Sequence, residues 1–169
     1  MQPPHLEQAL AALASRESGD YGVYFSVMET GEEAGYQQDK PFVAASCYKL
    51  FLVTYIYELA AAGSTDLESV VVYTPSDYSG GTGIIQFMPY GCPYTVRQLC
   101  RLAITHSDNV AANMLKRTYS YGALRDYAAS IGCPVTGTRY GRNMTTPREQ
   151  GTILRRIVDF AGRDPLGEE

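Results

Sequence analysis

The stretch that decides the fold is SCYKLFLVTYIYELAAA, residues 46–62, which is followed by Gly63. It is apolar on most faces, and a glycine just after such a run is a usual helix stop. A helix that is apolar all round is expected at the centre of a domain. The sequence therefore predicts a central helix over residues 46–62, with the cation of Lys49 set among apolar side chains.

The composition is that of a globular domain with enough chain to bury a sizeable core. The protein has 169 residues, 45% hydrophobic and 19% charged. Its net charge of −4 argues against nucleic acid or an anionic membrane surface as the main partner. No apolar run reaches the roughly 18 residues that span a bilayer. The first residues lack the pattern of a signal peptide, so we expect a cytoplasmic protein if this start is native.

Outward from the central helix, the pattern predicts strands only at the front of the chain and helices behind them. Strands are expected over residues 21–28 and 35–40, as a hairpin that needs further partners because two strands alone are marginally stable. The glycine- and proline-rich residues 74–91 are expected to form a loop. Further helices are predicted over residues 6–15, 95–104, 109–116, 122–131 and 147–160.

Ser46 and Lys49 form an S-x-x-K motif at the start of the central helix. Residues three apart lie on one face of a helix, so the hydroxyl and the amine can meet. A serine needs a base to become a nucleophile, and a desolvated lysine can be that base near neutral pH. Such a motif arises by chance about 0.5 times in a chain of this length, so it could also be a helix cap followed by a solvated lysine.

Ser107-Asp108-Asn109 is a rarer signal, expected by chance only about 0.02 times in such a chain. It lies between two predicted helices, where Ser107 or Asp108 could simply cap the second helix. In a functional interpretation, Ser107 relays a proton from Lys49 to a leaving nitrogen. Asn109 then offers its amide to a substrate carbonyl, while Asp108 fastens the turn.

Together, these motifs resemble those of the class A β-lactamases and penicillin-binding proteins, which use S-x-x-K, S-D-N and K-T-G. The resemblance runs along nearly the whole chain. It implies an α+β β-lactamase/transpeptidase-like fold, with a mostly helical subdomain over roughly residues 46–161 beside the N-terminal hairpin. It also implies an extracytoplasmic or secreted serine hydrolase acting through Ser46, Lys49 and Ser107, with Asn109 binding substrate. The other segments that carry the resemblance are residues 81–86, 94–99 and 145–149.

Two family motifs are missing from the sequence. There is no K-T-G, which the family places on a late strand beside a second oxyanion donor. We therefore expect residues 1–169 to be a single β-lactamase-like domain without its C-terminal strands, which a complementary fragment or a swapped subunit could supply. There is also no E-x-x-L-N motif, whose glutamate activates the deacylating water in class A enzymes. Residues 137–143, where it should lie, contain no carboxylate.

Three functions stay open. The chain could be an active acyl-serine hydrolase on β-lactams or related amides and esters, a penicillin-binding-like protein that is acylated and turns over slowly, or a non-catalytic module that keeps the fold. The substrate would be a small β-lactam or a peptidoglycan-like molecule. No cofactor or metal is implied, since the four cysteines form no C-x-x-C pair and are expected to be buried free thiols. His106 is expected to pack or cap, and the glycines of residues 80–83 to form a flexible loop.

Overall fold

The computed structural model describes residues 4–16, 18–136 and 143–168. Within these ranges the chain is α+β, with short antiparallel strand pairs beside a helical majority. The helices are α1 (Pro4–Ala14), α2 (Tyr48–Ala61), α3 (Val96–Thr105), α4 (Asn109–Tyr119), α5 (Tyr121–Ser130) and α6 (Pro147–Ala161), and the strands are β1 (Val23–Ser26), β2 (Glu33–Tyr36), β3 (Phe42–Val43), β4 (Val70–Val72), β5 (Pro93–Thr95) and β6 (Met144–Thr145).

The prediction that strands occur only at the front of the chain is wrong. The hairpin is present, with β1 and β2 paired from Val23 opposite Tyr36 to Ser26 opposite Glu33. However, β4 pairs with β5 across the long loop, and β3 pairs with β6. These later strands have two or three residues each, too few to show the two-residue alternation by which a strand is recognised in sequence.

The central helix is confirmed, although it begins later than predicted. Residues Ala45–Cys47 form a 3-10 turn, and α2 starts at Tyr48. Leu52 and Ile56 on α2 are fully buried in a core shared with α3, α4, α5 and α6. The turn places Ser46 at the surface and the next helical turn in the core. In the described ranges, none of the helices is both long and apolar enough to cross a membrane.

The predicted helix starts are confirmed by their caps. Thr95 and Gln98 form a capping box at α3, and the Thr146 hydroxyl accepts from the Glu149 N–H ahead of Pro147 at α6. The four cysteines are free. Cys100 and Cys133 are buried as expected, whereas Cys47 is exposed because it lies on the surface turn before α2.

Candidate active site

Lys49 projects from the first turn of α2 into a pocket lined by oxygen atoms. Its side chain is almost fully buried, at 2% exposure. Its Nζ lies 2.5 Å from the Ser107 carbonyl oxygen, 2.8 Å from Asn109 Oδ1, 3.0 Å from Ser107 Oγ and 3.3 Å from Ser46 Oγ. The structure therefore brings Lys49 into contact with Ser46 of its own motif and with Ser107 and Asn109 of the S-D-N motif.

The donor and acceptor roles of the groups around Lys49 Nζ indicate which protonation states the contacts allow. The Ser107 carbonyl and Asn109 Oδ1 can only accept hydrogen bonds, so they take two N–H groups. The remaining position faces two hydroxyls, which can either accept from an ammonium or donate to a free amine. Both protonation states of Lys49 fit this pocket, as a group that takes and returns a proton requires.

Burial lowers the pKa of the Lys49 ammonium, while the Asp108 carboxylate raises it and the charge of Lys116 lowers it, for a net decrease. The four closest oxygens belong to hydroxyl, carbonyl and amide groups, so among the described residues no carboxylate hydrogen bonds to the amine. The uncharged amine is thereby more accessible near neutral pH than in a solvated lysine.

The two hydroxyls are connected to each other. Ser107 Oγ donates to Ser46 Oγ at 2.8 Å and lies 3.0 Å from Lys49 Nζ. Ser46 is exposed whereas Lys49 is buried behind it. The arrangement can therefore carry a proton from a surface hydroxyl to a buried amine, directly or through Ser107.

The backbone beside both serines is in an uncommon conformation. Ala45, just before Ser46, has φ of 46°, and Ser107 has φ of 48°. The left-handed region costs a non-glycine residue about 1–2 kcal/mol, which the surrounding contacts must offset. Thr82 Oγ1 donates to the Ser107 carbonyl and Asn143 Nδ2 donates to the Ala45 carbonyl, so both strained turns are fastened by side chains.

Asp108 fastens the turn, as expected from the sequence. It is fully buried, and its Oδ1 caps α4 by accepting from the Ala111 N–H. Oδ2 accepts from the backbone N–H groups of Ile84 and Ile85, at 2.7 and 2.9 Å. One carboxylate thus ties the S-D-N turn to the glycine-rich loop.

Several hydrogen bonds hold the glycine-rich loop in place, whereas the sequence predicted a flexible loop. Gly83 has φ of 110°, and a Cβ there would lie 2.3 Å from Asp108 Cγ, so only glycine fits. Asn109 Nδ2 donates to the Gly80 carbonyl, and the Asn109 N–H donates to the Thr82 carbonyl. The Oδ1 of Asn109 thus contacts Lys49 and one of its amide hydrogens binds the loop, while its second amide hydrogen has no hydrogen bond to the described residues.

Sequence reasoning missed three residues that support the site: Thr82, Gly83 and Asn143. Gly83 had a usable signal, because a G-x-G run often marks positive φ or close approach of the backbone to another segment. Thr82 and Asn143 had no local signal, because their hydrogen-bond partners lie 25 and 98 residues away along the chain. Residues 137–142, most of the segment where the E-x-x-L-N motif of class A enzymes is expected, lie outside the described residues.

His106 takes no part in the site contacts. Its ring Nδ1 lies 2.8 Å from Thr105 Oγ1 and the side chain is exposed. Within the part of the chain that the structure describes, no group of three or more His, Cys, Asp or Glu side chains is arranged to hold a metal ion.

Sequence comparison relates the chain to the β-lactamases. The model of the Beta-lactamase enzyme family matches residues 5–165. Beta-lactamase ROB-1 of Haemophilus influenzae is 31% identical over 114 residues, which cover 64% of this chain and 35% of that protein. A β-lactamase of Mycobacterium tuberculosis is 31% identical over 97% of this chain and 49% of its own length. The chain thus spans about a third to a half of these relatives.

Solved structures show the same fold. The match to the structure of PBP-A covers 99% of this chain and 66% of the PBP-A chain, with a TM-score of 0.90 at 24% identity. A second match is the class A β-lactamase of the last common ancestor of Gram-negative bacteria. It covers 89% of this chain and 62% of the ancestral chain, with a TM-score of 0.77 at 30% identity. The fold is that of the β-lactamases and transpeptidases, and the chain belongs to the β-lactamase enzyme family.

Proposed function

We propose that the chain carries the acylation centre of a serine hydrolase of β-lactamase type. In this proposal Ser46 attacks the carbonyl carbon of a β-lactam, or of a related amide or ester. The observation that carries it is the contact of a buried lysine, free of any carboxylate contact, with two hydroxyls that contact each other. A solvated lysine after a capping serine would have neither this burial nor these contacts.

The positions of the atoms support the following course of reaction. The free amine of Lys49 takes the Ser46 proton, and the Ser46 oxygen forms a bond to the carbonyl carbon. The carbon–nitrogen bond of the substrate then breaks, and Ser107 passes the proton from Lys49 to the leaving nitrogen. Ser46 lies in the 3-10 turn just before α2, and its backbone N–H is the donor that we assign to the oxyanion.

The proposed substrate is inferred from relatives of this chain. ROB-1 and the M. tuberculosis protein are named as β-lactamases, and a variant of PBP-A has been solved as an acyl-enzyme with penicillin G. We extend the β-lactam to this chain as a proposal, with a peptidoglycan-like peptide as the related substrate.

A second candidate is a penicillin-binding-like protein whose acyl-enzyme persists. The favouring observation is that no carboxylate in the described ranges hydrogen bonds to Ser46 or Lys49. Hydrolysis of the acyl group requires a base to activate water. Without one beside Ser46, acylation should outpace deacylation.

Intact-protein mass spectrometry after incubation with penicillin G tests the proposal. We expect a mass gain equal to one penicillin, because ring opening adds the whole molecule to Ser46. Ser46→Ala should show no gain, whereas the matched control Ser64→Ala, at an exposed serine after α2, should behave as the parent. An unchanged mass at millimolar penicillin would contradict the proposal and favour a non-catalytic module.

The lifetime of the adduct separates the two candidates. After removal of free penicillin, the mass of a turning-over hydrolase returns to that of the parent within minutes. A penicillin-binding-like protein keeps the added mass for hours. Release of penicilloic acid, measured in the same sample, checks that the lost mass is a hydrolysis product.

A further inference from the structure

Lys116 is a second lysine close to the site, and its surroundings differ from those of an ordinary surface lysine. The chain has three lysines. Lys40 forms an exposed ion pair with Asp20 at 2.6 Å, and Lys49 has its four oxygen contacts. Lys116 is partly buried and, among the described residues, has neither a hydrogen bond nor an ion pair.

Lys116 and Lys49 share a neighbour, the ring of Tyr48. Lys116 Nζ lies 5.0 Å from the ring centroid, and Lys49 Nζ lies 6.0 Å from it. Lys116 is seven residues after Asn109 on α4, two helical turns along, and therefore on the same face of that helix. Lys116 thus points toward the side of α4 that carries the site.

Among the residues that the structure describes, none provides a counter-charge in the space beside Lys116. A cavity of about 20 Å³ is lined by Lys116 and Tyr48 together with Thr136 and Asn143, which is room for about one water molecule. The other charged side chain on its wall is Arg125 of α5, which pairs with Asp126 at the surface. Burial lowers the pKa of Lys116 and raises that of Tyr48 to about 12, so the phenol remains neutral.

We propose that Lys116 is a positioning residue for acylation: its ammonium, which shares the Tyr48 ring with Lys49, disfavours a second positive charge and so favours the free amine that takes the Ser46 proton. The proposal rests on the proposed function of Lys49. Like charges in a partly desolvated region repel more strongly than in bulk water. The Asp108 carboxylate opposes this repulsion from the other end of the site, although three backbone N–H groups already engage it.

The expected effect is an upward shift of the Lys49 titration in Lys116→Met, which keeps the length of the side chain and removes its charge. We expect a shift of about 0.5–1 pH unit, and hence an acylation rate at pH 7 that is about three- to ten-fold lower and is recovered at higher pH. Lys116→Arg keeps the charge and should keep the parent titration. Lys40→Met, which removes a distant lysine, is the control for net charge.

Two measurements make failure of this proposal distinct from failure of the proposed function. Carbon-13 labelling of the lysine ε positions gives three NMR signals, so the titration of Lys49 is followed without any reaction. The rate of penicillin acylation is then measured against pH. An unchanged Lys49 titration in Lys116→Met overturns the role of Lys116, whether or not Ser46 is acylated. A shifted titration with no acylation in the parent leaves the coupling established and overturns the proposed function.

Discussion

Lys49 and Arg117 are both cations that reach into polar pockets beside α4, one near each end of that helix, and they are partnered in opposite ways. Arg117 faces a carboxylate: Nε lies 2.7 Å from Oδ1 of the buried Asp77, and Nη2 lies 3.0 Å from its Oδ2. Among the described residues, Lys49 hydrogen bonds to hydroxyl, carbonyl and amide oxygens, and the Asp108 carboxylate acts on it without a hydrogen bond. One end of the helix therefore has a cation in an ion pair, and the other has a cation held by neutral groups.

The difference shows which end is structural. The hydrogen bond and charge of Asp77 raise the pKa of the Arg117 guanidinium and outweigh its burial, so this cation is fixed. Burial lowers the pKa of Lys49, so its ammonium loses a proton more readily than that of a solvated lysine. An ion pair locks a charge in place, whereas neutral acceptors hold an amine in position and leave it able to titrate.

The largest effect should come from Lys49→Met, which removes the titratable amine and keeps an unbranched side chain. We expect the rate of acylation by penicillin to fall by about 10²–10⁴-fold, the range for loss of a general base. Quenched-flow mass spectrometry measures this rate, and circular dichroism checks that the fold is retained. A rate within ten-fold of the parent would mean that another group takes the Ser46 proton.

The next effect is on stability, from Arg117→Met at the opposite end of α4. Losing the partner of a buried carboxylate should lower the free energy of unfolding by about 2 kcal/mol at pH 7, a value reduced because the arginine is partly exposed. The acylation rate should stay the same, since this pair does not contact the site. Urea denaturation measures the change in the free energy of unfolding. A marked fall in the acylation rate of Arg117→Met would contradict a purely structural role for this end of α4.

This stability difference should depend on pH. Burial raises the pKa of Asp77, but hydrogen bonds from Arg117 and Thr74 outweigh it and the net pKa is lowered. A carboxylate whose pKa is lowered by folding contributes stability above its unfolded value, near 3.9, and loses it as pH falls through the folded value. Parent and Arg117→Met should therefore converge in stability as the pH falls through the folded pKa of Asp77.

The smallest effect should follow from Asn109→Asp, which gives Lys49 the counter-charge that Arg117 already has. A carboxylate at the position of Asn109 Oδ1, 2.8 Å from the amine, should raise the pKa of Lys49 by about one unit or more. Acylation at pH 7 should then be about ten-fold slower and recover at higher pH. Asn109→Ala is the control: it removes the amide without adding charge, so an equal midpoint shift in both variants would rule out charge as the cause.

Helices and candidate residues could be predicted from sequence where the signal is local. Thr95 and Thr146 marked helix starts, and the S-x-x-K and S-D-N motifs selected Ser46, Lys49, Ser107 and Asn109, whose side chains the fold brings into contact. The short strands β4 and β5 could not be predicted, because their pairing joins residues more than 20 positions apart and each strand has only three residues.

By itself, the sequence determined the family, the apolar central helix and the spacing that puts a hydroxyl and an amine on one helical face. Those properties depend on contacts between near neighbours, which a linear pattern records. Only the tertiary structure decided that Lys49 has neutral partners, that Asp108 binds the glycine-rich loop, and that Lys116 shares the ring of Tyr48. These depend on which distant segments meet, and therefore on how the whole core packs.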